Sequence, residues 1–324
     1  MNTISNKKVV CLGGGIGTVN LISGLKEYTE NIFVVISMAD EGGSSGRLRR
    51  LYKIFPPGDM VSCMSALVKS KNPVISQLLT YRFPGNRYGK DDELGGQKLG
   101  NLVMAAMINV LKDSNSAIEL FKKTFDIPGV FMPATSKKVS ISVKTADGNI
   151  IFGEEKIDLG KYNGKRVLER VYLHPKSAKA ANGVIECLED ADVIIAGPGD
   201  LYTTILPVLI VPGIAKVLKK SKALRIFIVN IANKPFETKG YDVYDYIKAI
   251  KKHLGVFPFD KIVINNNYSI SIPKKYHYKH VLLDSKGKSE DVNGIKMIKR
   301  DLIDENFPIY HSSSKLAKVV AENI

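Results

Sequence analysis

The run Val9-Val10-Cys11-Leu12-Gly13-Gly14-Gly15-Ile16-Gly17-Thr18 constrains this chain more than any other stretch. A short β-type apolar run of this kind reads as a buried central strand, and the pattern that follows the glycines is helical. Glycines between the two let a ligand approach the backbone where a Cβ would collide. The orphan amides and the positive end of the next helix then favour an anion such as a phosphate. Gly13, Gly14, Gly15, Gly17 and Thr18 are therefore candidate ligand contacts. The dinucleotide fingerprint started at Gly13 needs glycine at position 18 and finds Thr18, and the P-loop G-K-[ST] is absent. A tight turn without a ligand is the plain alternative.

Further along, apolar strand candidates alternate with helical patterns, which predicts an α/β fold: a Rossmann-like, doubly wound, mostly parallel sheet. Thr18 to Tyr28 reads as the first helix and Ile32-Phe33-Val34-Val35-Ile36-Ser37 as the second strand. The loop Asp40-Glu41-Gly42-Gly43-Ser44-Ser45-Gly46-Arg47 follows, and in such sheets ligands sit at the carboxyl ends of strands. Gly42, Gly43, Ser44, Ser45 and Arg47 form a second candidate anion surface, or else a helix N-cap loop. Asp40 stands where a ribose-binding acid of a NAD protein would, about twenty residues beyond the glycines. Asp40 and Glu41 are alternatively candidate Mg²⁺ ligands, because a hard cation beside phosphates takes carboxylate oxygens.

Asp59 reads as the N-cap of a helix with Met60, Cys63, Met64 and Leu67 inward, and 73–81 as another helix. Phe83 to Gly96 reads as an open loop carrying Arg82 and Arg87 at its start, a lid or plain surface. Asn101, at the entry to the helix Leu102 to Leu111, is a candidate contact. From Lys137 the period changes to two, with an Asp147-Gly148 turn, so a small antiparallel β insertion is expected at about 137–173 within a single domain spanning 1–324. Ala178 to Asp190 reads as a helix. The strand Val193-Ile194-Ile195-Ala196 then ends in Gly197-Pro198-Gly199-Asp200-Leu201-Tyr202-Thr203-Thr204, and Ile226 to Asn230 is a further strand. Gly197, Gly199, Tyr202, Thr203 and Asn230 join the candidate site on that ground. The helix Val243 to Leu254 and the strand from Ile262 complete the alternation. His277 and His280 are spaced for a metal but stand among lysines without an acidic ligand.

Composition narrows the classes. The formal charge is +15, from 47 Lys and Arg against 32 Asp and Glu, but the excess is dispersed and mostly lysine, so a solvated basic surface is expected in place of nucleic-acid binding. No apolar run reaches the roughly 18 residues of a membrane span, and Met1 to Lys8 lacks a secretion h-region, so a cytoplasmic chain is expected. Cys11, Cys63 and Cys187 are few, scattered and set in apolar surroundings, as buried reduced thiols are.

Leu12-Gly13-Gly14-Gly15 with Gly17, Ala39 to Arg49, Pro56-Pro57-Gly58-Asp59, Leu99-Gly100-Asn101-Leu102, Gly197 to Pro207 and Val263-Ile264-Asn265-Asn266 together resemble the gluconeogenesis factor family, in order and spacing across almost the whole chain. That family shares a superfamily and a Rossmann-like core with 2-phospho-L-lactate transferase. The resemblance implies a cytoplasmic protein that binds a nucleotide sugar, UDP-N-acetylglucosamine, and supports cell-wall synthesis and cell shape on gluconeogenic carbon sources. It also implies a regulator or enzyme of cell-wall synthesis as partner, and a homodimer is compatible with it. The family's usual residues are replaced at Glu41, Val61, Ser62, Gln97, Phe236 and Tyr310, which removes an arginine, an asparagine and a histidine from its motifs. Two functions remain open: a nucleotide-sugar-binding regulator, and a transferase moving a phospho-lactyl-type group from a nucleotide diphosphate with Mg²⁺. A dehydrogenase is disfavoured by the failed fingerprint.

Overall fold

The computed structural model describes residues 4–69, 73–162, 167–284 and 294–324. Twelve strands occur among them. They are β1 (Val9–Gly13), β2 (Ile32–Ile36), β3 (Val130–Pro133), β4 (Ser140–Thr145), β5 (Ile150–Phe152), β6 (Leu168–His174), β7 (Val193–Ala196), β8 (Leu224–Ile228), β9 (Ala232–Asn233), β10 (Lys261–Asn265), β11 (Lys279–His280) and β12 (Lys296–Arg300). Seven form one parallel sheet in the order β12-β10-β8-β7-β1-β2-β3. The α/β doubly wound class expected from the alternation is the class found. β1 and β7 read as continuous apolar runs because neighbours and helices bury every residue from Val9 to Leu12 and from Val193 to Ala196. The order grows outward from β1 in one direction through β2 and β3, and from β7 in the other. That reversal makes the gap between the carboxyl ends of β1 and β7 the topological switch point.

Two sets of helices cover the sheet. Gly15–Leu25 packs on Pro57–Leu67 and on Ser313–Ala321, while Ile214–Lys220 packs on Val184–Glu189. The right-handed crossovers of parallel strands put helices that follow β1 and β7 on opposite faces. The contact with Ser313–Ala321 is close because Gly24 has no side chain: a Cβ there would stand 2.1 Å from the carbonyl oxygen of Ser313. A separate antiparallel sheet, β5-β4-β6, carries the helix Glu154–Asp158 directly after β5. Gly148, at the turn between β4 and β5, has a φ of 87°, which glycine adopts freely.

Some element boundaries differ from the sequence reading. The helix expected over Ala178 to Asp190 is confined to Val184–Glu189, because Gly183 with φ 80° starts it late. β3 and β12 were not anticipated. β3 is bounded by Gly129 and ends at Pro133, a turn-like composition, and β12 has Met297 and Ile298 side by side between Lys296 and Lys299 at the sheet edge, without a period of two. Cys11, Cys63 and Cys187 are buried and unpaired, and burial pushes the Cys11 thiol up to about 12. Among the described residues no single helix is long and apolar enough to cross a membrane.

Candidate functional site

Beyond the switch point lies a cleft of about 570 Å³. The ends of β1, β2 and β7 all reach it. Gly14, Gly15 and Gly17 come from the first loop, Asp40, Ser44 and Ser45 from the second, and Gly199 and Thr203 from the third, while Asp59, Asn101 and Asn230 complete that part of the wall. The loops are held in contact by small residues. A Cβ on Gly17 would stand 2.3 Å from the carbonyl oxygen of Pro198, so the first helix and the β7 loop touch backbone to backbone. The Gly199 amide donates to Asn230 Oδ1 at 2.9 Å, which ties the β7 loop to the end of β8.

Four helices begin at this cleft: Gly15–Leu25, Gly43–Tyr52, Pro57–Leu67 and Leu99–Leu111. In none of them does the N-cap residue supply a side-chain cap, although the Gly58 amide donates to Ser45 Oγ at 2.9 Å and the Gly15 amide to Asp59. Elsewhere the chain does cap, with Asp113 accepting from Ser116 and Asp242 forming a capping box with Asp245. Four positive dipole ends aimed at one volume make it attractive to an anion.

Several residues expected at the site stand behind it. Thr18 Oγ1 accepts from the Gly14 amide at 2.8 Å, and Gly13 is small because a Cβ would stand 2.4 Å from that oxygen. The Gly42 amide donates to Asp40 Oδ1 at 2.9 Å. Gly43 underlies the Arg87 guanidinium, and Gly197 turns at φ 81° below the loop. Tyr202 is buried, its hydroxyl donating to the Leu168 carbonyl at 2.9 Å. Arg47 is the largest departure. It is fully buried and donates to the carbonyls of Asn86, Glu93 and Gly95, so it organises the 83–96 loop and does not line the cleft. That loop is thereby ordered, not an open flap. Glu41 also turns away, accepting from the Ser140 hydroxyl and the Glu154 amide and facing Arg49 at 3.5 Å.

Three cations that the sequence reading left in a loop form one side of the cleft: Arg82, Arg87 and Lys98. Arg82 donates to Ser44 Oγ at 3.1 Å and to the Gly96 carbonyl at 2.6 Å, and Lys98 to Ser62 Oγ at 2.8 Å. Among the described residues none of the three makes a salt bridge with a carboxylate. Burial and the neighbouring Arg87 push Arg82 below its ordinary value, and burial with Arg82 does the same to Lys98 against the pull of Asp59. Mutual repulsion between unpaired cations is relieved by a bound anion. The signal in the sequence was the recurrence of basic residues immediately before the helix at Leu99, which only the fold aligns with the glycine loops.

Carboxylates form the other side. Asp59 is half-buried at the cleft wall, and desolvation with the nearby Asp40 pushes it up to about 7, against Lys98 and the Gly15 amide. Burial also raises Asp40, opposed by the Gly42 amide and Ser45, and Glu154, helped by Asp40 and Asp158. The antiparallel insertion therefore supplies part of the wall through Glu154 and Asp158. Asp158, Asp200 and Glu237 lie close enough together to hold a metal, but the Lys234 ammonium sits among them, bonded to Asp158, to Asp200 at 2.8 Å and facing Glu237 at 3.8 Å. Burial would push Lys234 down, but the three carboxylates hold it well above its ordinary value. Asp40 and Asp59 both line the cleft and raise each other's charge cost, and a divalent cation bound beside them would stabilise their ionised form.

The segment 9–303 matches the model of a family described as 2-phospho-L-lactate transferase CofD. The chain is 35% identical over 323 residues to the putative gluconeogenesis factor of Thermoanaerobacterium thermosulfurigenes, covering 98% of this chain and 97% of that one. It is 33% identical over 321 residues to the gluconeogenesis factor of Bacillus subtilis, covering 97% of each. A crystal structure of a upf0052-family protein from Bacillus halodurans superposes with a TM-score of 0.86 at 33% identity, over 97% of this chain and 99% of that one.

Proposed function

The chain belongs to the 2-phospho-L-lactate transferase CofD family and to its gluconeogenesis factors, and on that premise we propose that it binds a nucleotide sugar of the UDP-N-acetylglucosamine type without consuming it. The observation that carries this reading is the cleft wall itself: four helix starts, none capped by its own N-cap side chain, beside Arg82, Arg87 and Lys98, none of the three in a salt bridge among the described residues. A diphosphate satisfies both the amides and the cations. Asp40 and Asn230 then offer acceptors for ribose or sugar hydroxyls at the carboxyl edge of the sheet. A regulatory role in cell-wall synthesis and cell shape during growth on gluconeogenic carbon sources, exerted on a regulator or enzyme of that synthesis, is part of the proposal. So is a cytoplasmic location.

Chemistry of turnover needs a proton-transfer group near neutral pH within reach of the reacting atom. His311 lines the cleft, but burial pushes its imidazole down to about 3, which keeps it neutral. The second reading is the transferase, and Asp59 with Asp40 favours it, since a Mg²⁺ held there would neutralise charge on the bridging diphosphate and on the nucleoside monophosphate that leaves when the phospho-lactyl group is transferred. The discriminating experiment is a thermal-shift panel of UDP-N-acetylglucosamine, UDP-glucose, GDP and NAD, each with and without Mg²⁺. A ligand at a hundred times its Kd adds about 2.7 kcal/mol of stability. Stabilisation by the UDP-sugars in preference to GDP and NAD supports the proposal, and stabilisation by GDP alone, requiring Mg²⁺, would transfer the assignment to the transferase.

A further inference from the structure

A second cavity, of about 510 Å³, lies at the opposite end of the helix Gly43–Tyr52 from the cleft. Three separate stretches bring lysines to it: Lys53, Lys112, and the pair Lys137 and Lys138. None of the four makes a salt bridge among the described residues. The acidic residue on this wall, Asp113, is engaged in capping its own helix by accepting from Ser116 at 2.7 Å. Lys53 and Lys112 are also in an unusual backbone state. Each follows a helix end with φ 55°, where glycine or asparagine is the ordinary choice. Of the four non-glycine residues with positive φ among the described residues, two are lysines of this cavity. Tyr52 and Phe55 line the same cavity, Tyr52 being 48% exposed.

We propose that this cavity is a binding site for a small phosphorylated anion, separate from the switch-point cleft. Four exposed lysines from three separate stretches place positive charge around one cavity with no carboxylate partner among the described residues, and an ammonium meets a multiply charged phosphate as a point charge. The arginine present, Arg49, is already committed to the carbonyls of Met38, Asp40 and Val139. The aromatic rings leave an apolar face for a carbon skeleton. Arg49 also makes the site consequential, because the same guanidinium lines this cavity and holds the Asp40 carbonyl of the cleft loop at 3.1 Å.

The test is calorimetric titration of the full chain with inorganic pyrophosphate, with citrate as a carboxylate control, in four proteins. Native protein is expected to take two equivalents. K137E/K138E, at two exposed positions, should retain one and weaken the other by about tenfold or more, a change of about 1.4 kcal/mol. Arg87→Ala should weaken the remaining one, in the cleft. K53G/K112G supplies a variant that glycine's preference for this backbone keeps folded, and it should lose the same equivalent as K137E/K138E without a lower melting midpoint. A single equivalent in native protein, unchanged by both lysine variants, would overturn the proposal. Citrate binding as tightly as pyrophosphate at the lysine site would overturn its assignment to phosphate.

Discussion

Arg47 and Arg87 both meet the 83–96 loop and serve different ends. Arg47 is fully buried and spends its guanidinium on loop carbonyls, whereas Arg87 lines the cleft without a salt bridge among the described residues. Arg47→Ala is expected to destabilise the fold by about 3 kcal/mol, since it removes a fully buried side chain and the charge-assisted bonds it donates to the carbonyls of Asn86, Glu93 and Gly95. Arg87→Ala should leave folding within about 0.5 kcal/mol and weaken a diphosphate ligand about tenfold. Urea unfolding and calorimetric titration of both variants check this, and the reverse pattern would exchange their roles. Asp59 supplies a pH dependence. Its carboxyl is raised from 3.8 to about 7, so below its ordinary value both folded and unfolded chains hold the proton and the site carries no penalty. As pH rises toward the folded value the unfolded chain ionises first, and stability is lost through that window. Asp59→Asn should therefore gain melting temperature relative to native protein between about pH 4 and about pH 8, and a constant difference across that range would contradict the shift. Sequence spacing singled out Asp40, Ser44, Ser45 and Asn101, which do line the cleft. It misassigned Arg47 because an arginine after a glycine-serine loop looks alike whether it faces a ligand or three carbonyls.

The elements that carry the site are strand ends joined by glycines, and their close approach is a property of pairs of segments. Gly17 is the clearest case, with its α-carbon packed against the Pro198 carbonyl. Gly17→Ala must push the first helix away from the β7 loop, and the expected loss is about 1 to 3 kcal/mol of stability, as for other overpacked contacts. Chemical denaturation measures it, and native-like stability in the variant would mean that the two segments are not rigidly apposed. β1, β2, β7, β8 and β10 were legible because buried parallel strands are apolar throughout. β3 and β12 were not, since an edge strand needs apolar residues on one face only and both are four or five residues long. The 83–96 loop was legible as a loop but not as an ordered one. Its order comes from Arg47, which lies 39 residues or more away in sequence.

At the scale of the whole molecule, one topological fact organises the account: the sheet reverses its order between β1 and β7, and four helix starts separated in sequence meet outside that gap. No local pattern announces that convergence, which is why the cations at Arg82, Arg87 and Lys98 went unread beside the more conspicuous glycines. The carboxylates opposite them, Asp40 and Asp59, are the groups on which binding without turnover and metal-assisted transfer diverge. A single calorimetric titration of UDP-N-acetylglucosamine into native protein and into Asp40→Asn, with the nucleotide analysed afterwards, tests the central claim. The account predicts one equivalent bound at the cleft, an affinity lowered by about 1 to 3 kcal/mol in Asp40→Asn, and nucleotide recovered intact from both. Equal affinity in the two proteins, or release of free UDP by native protein that Asp40→Asn abolishes, would contradict it.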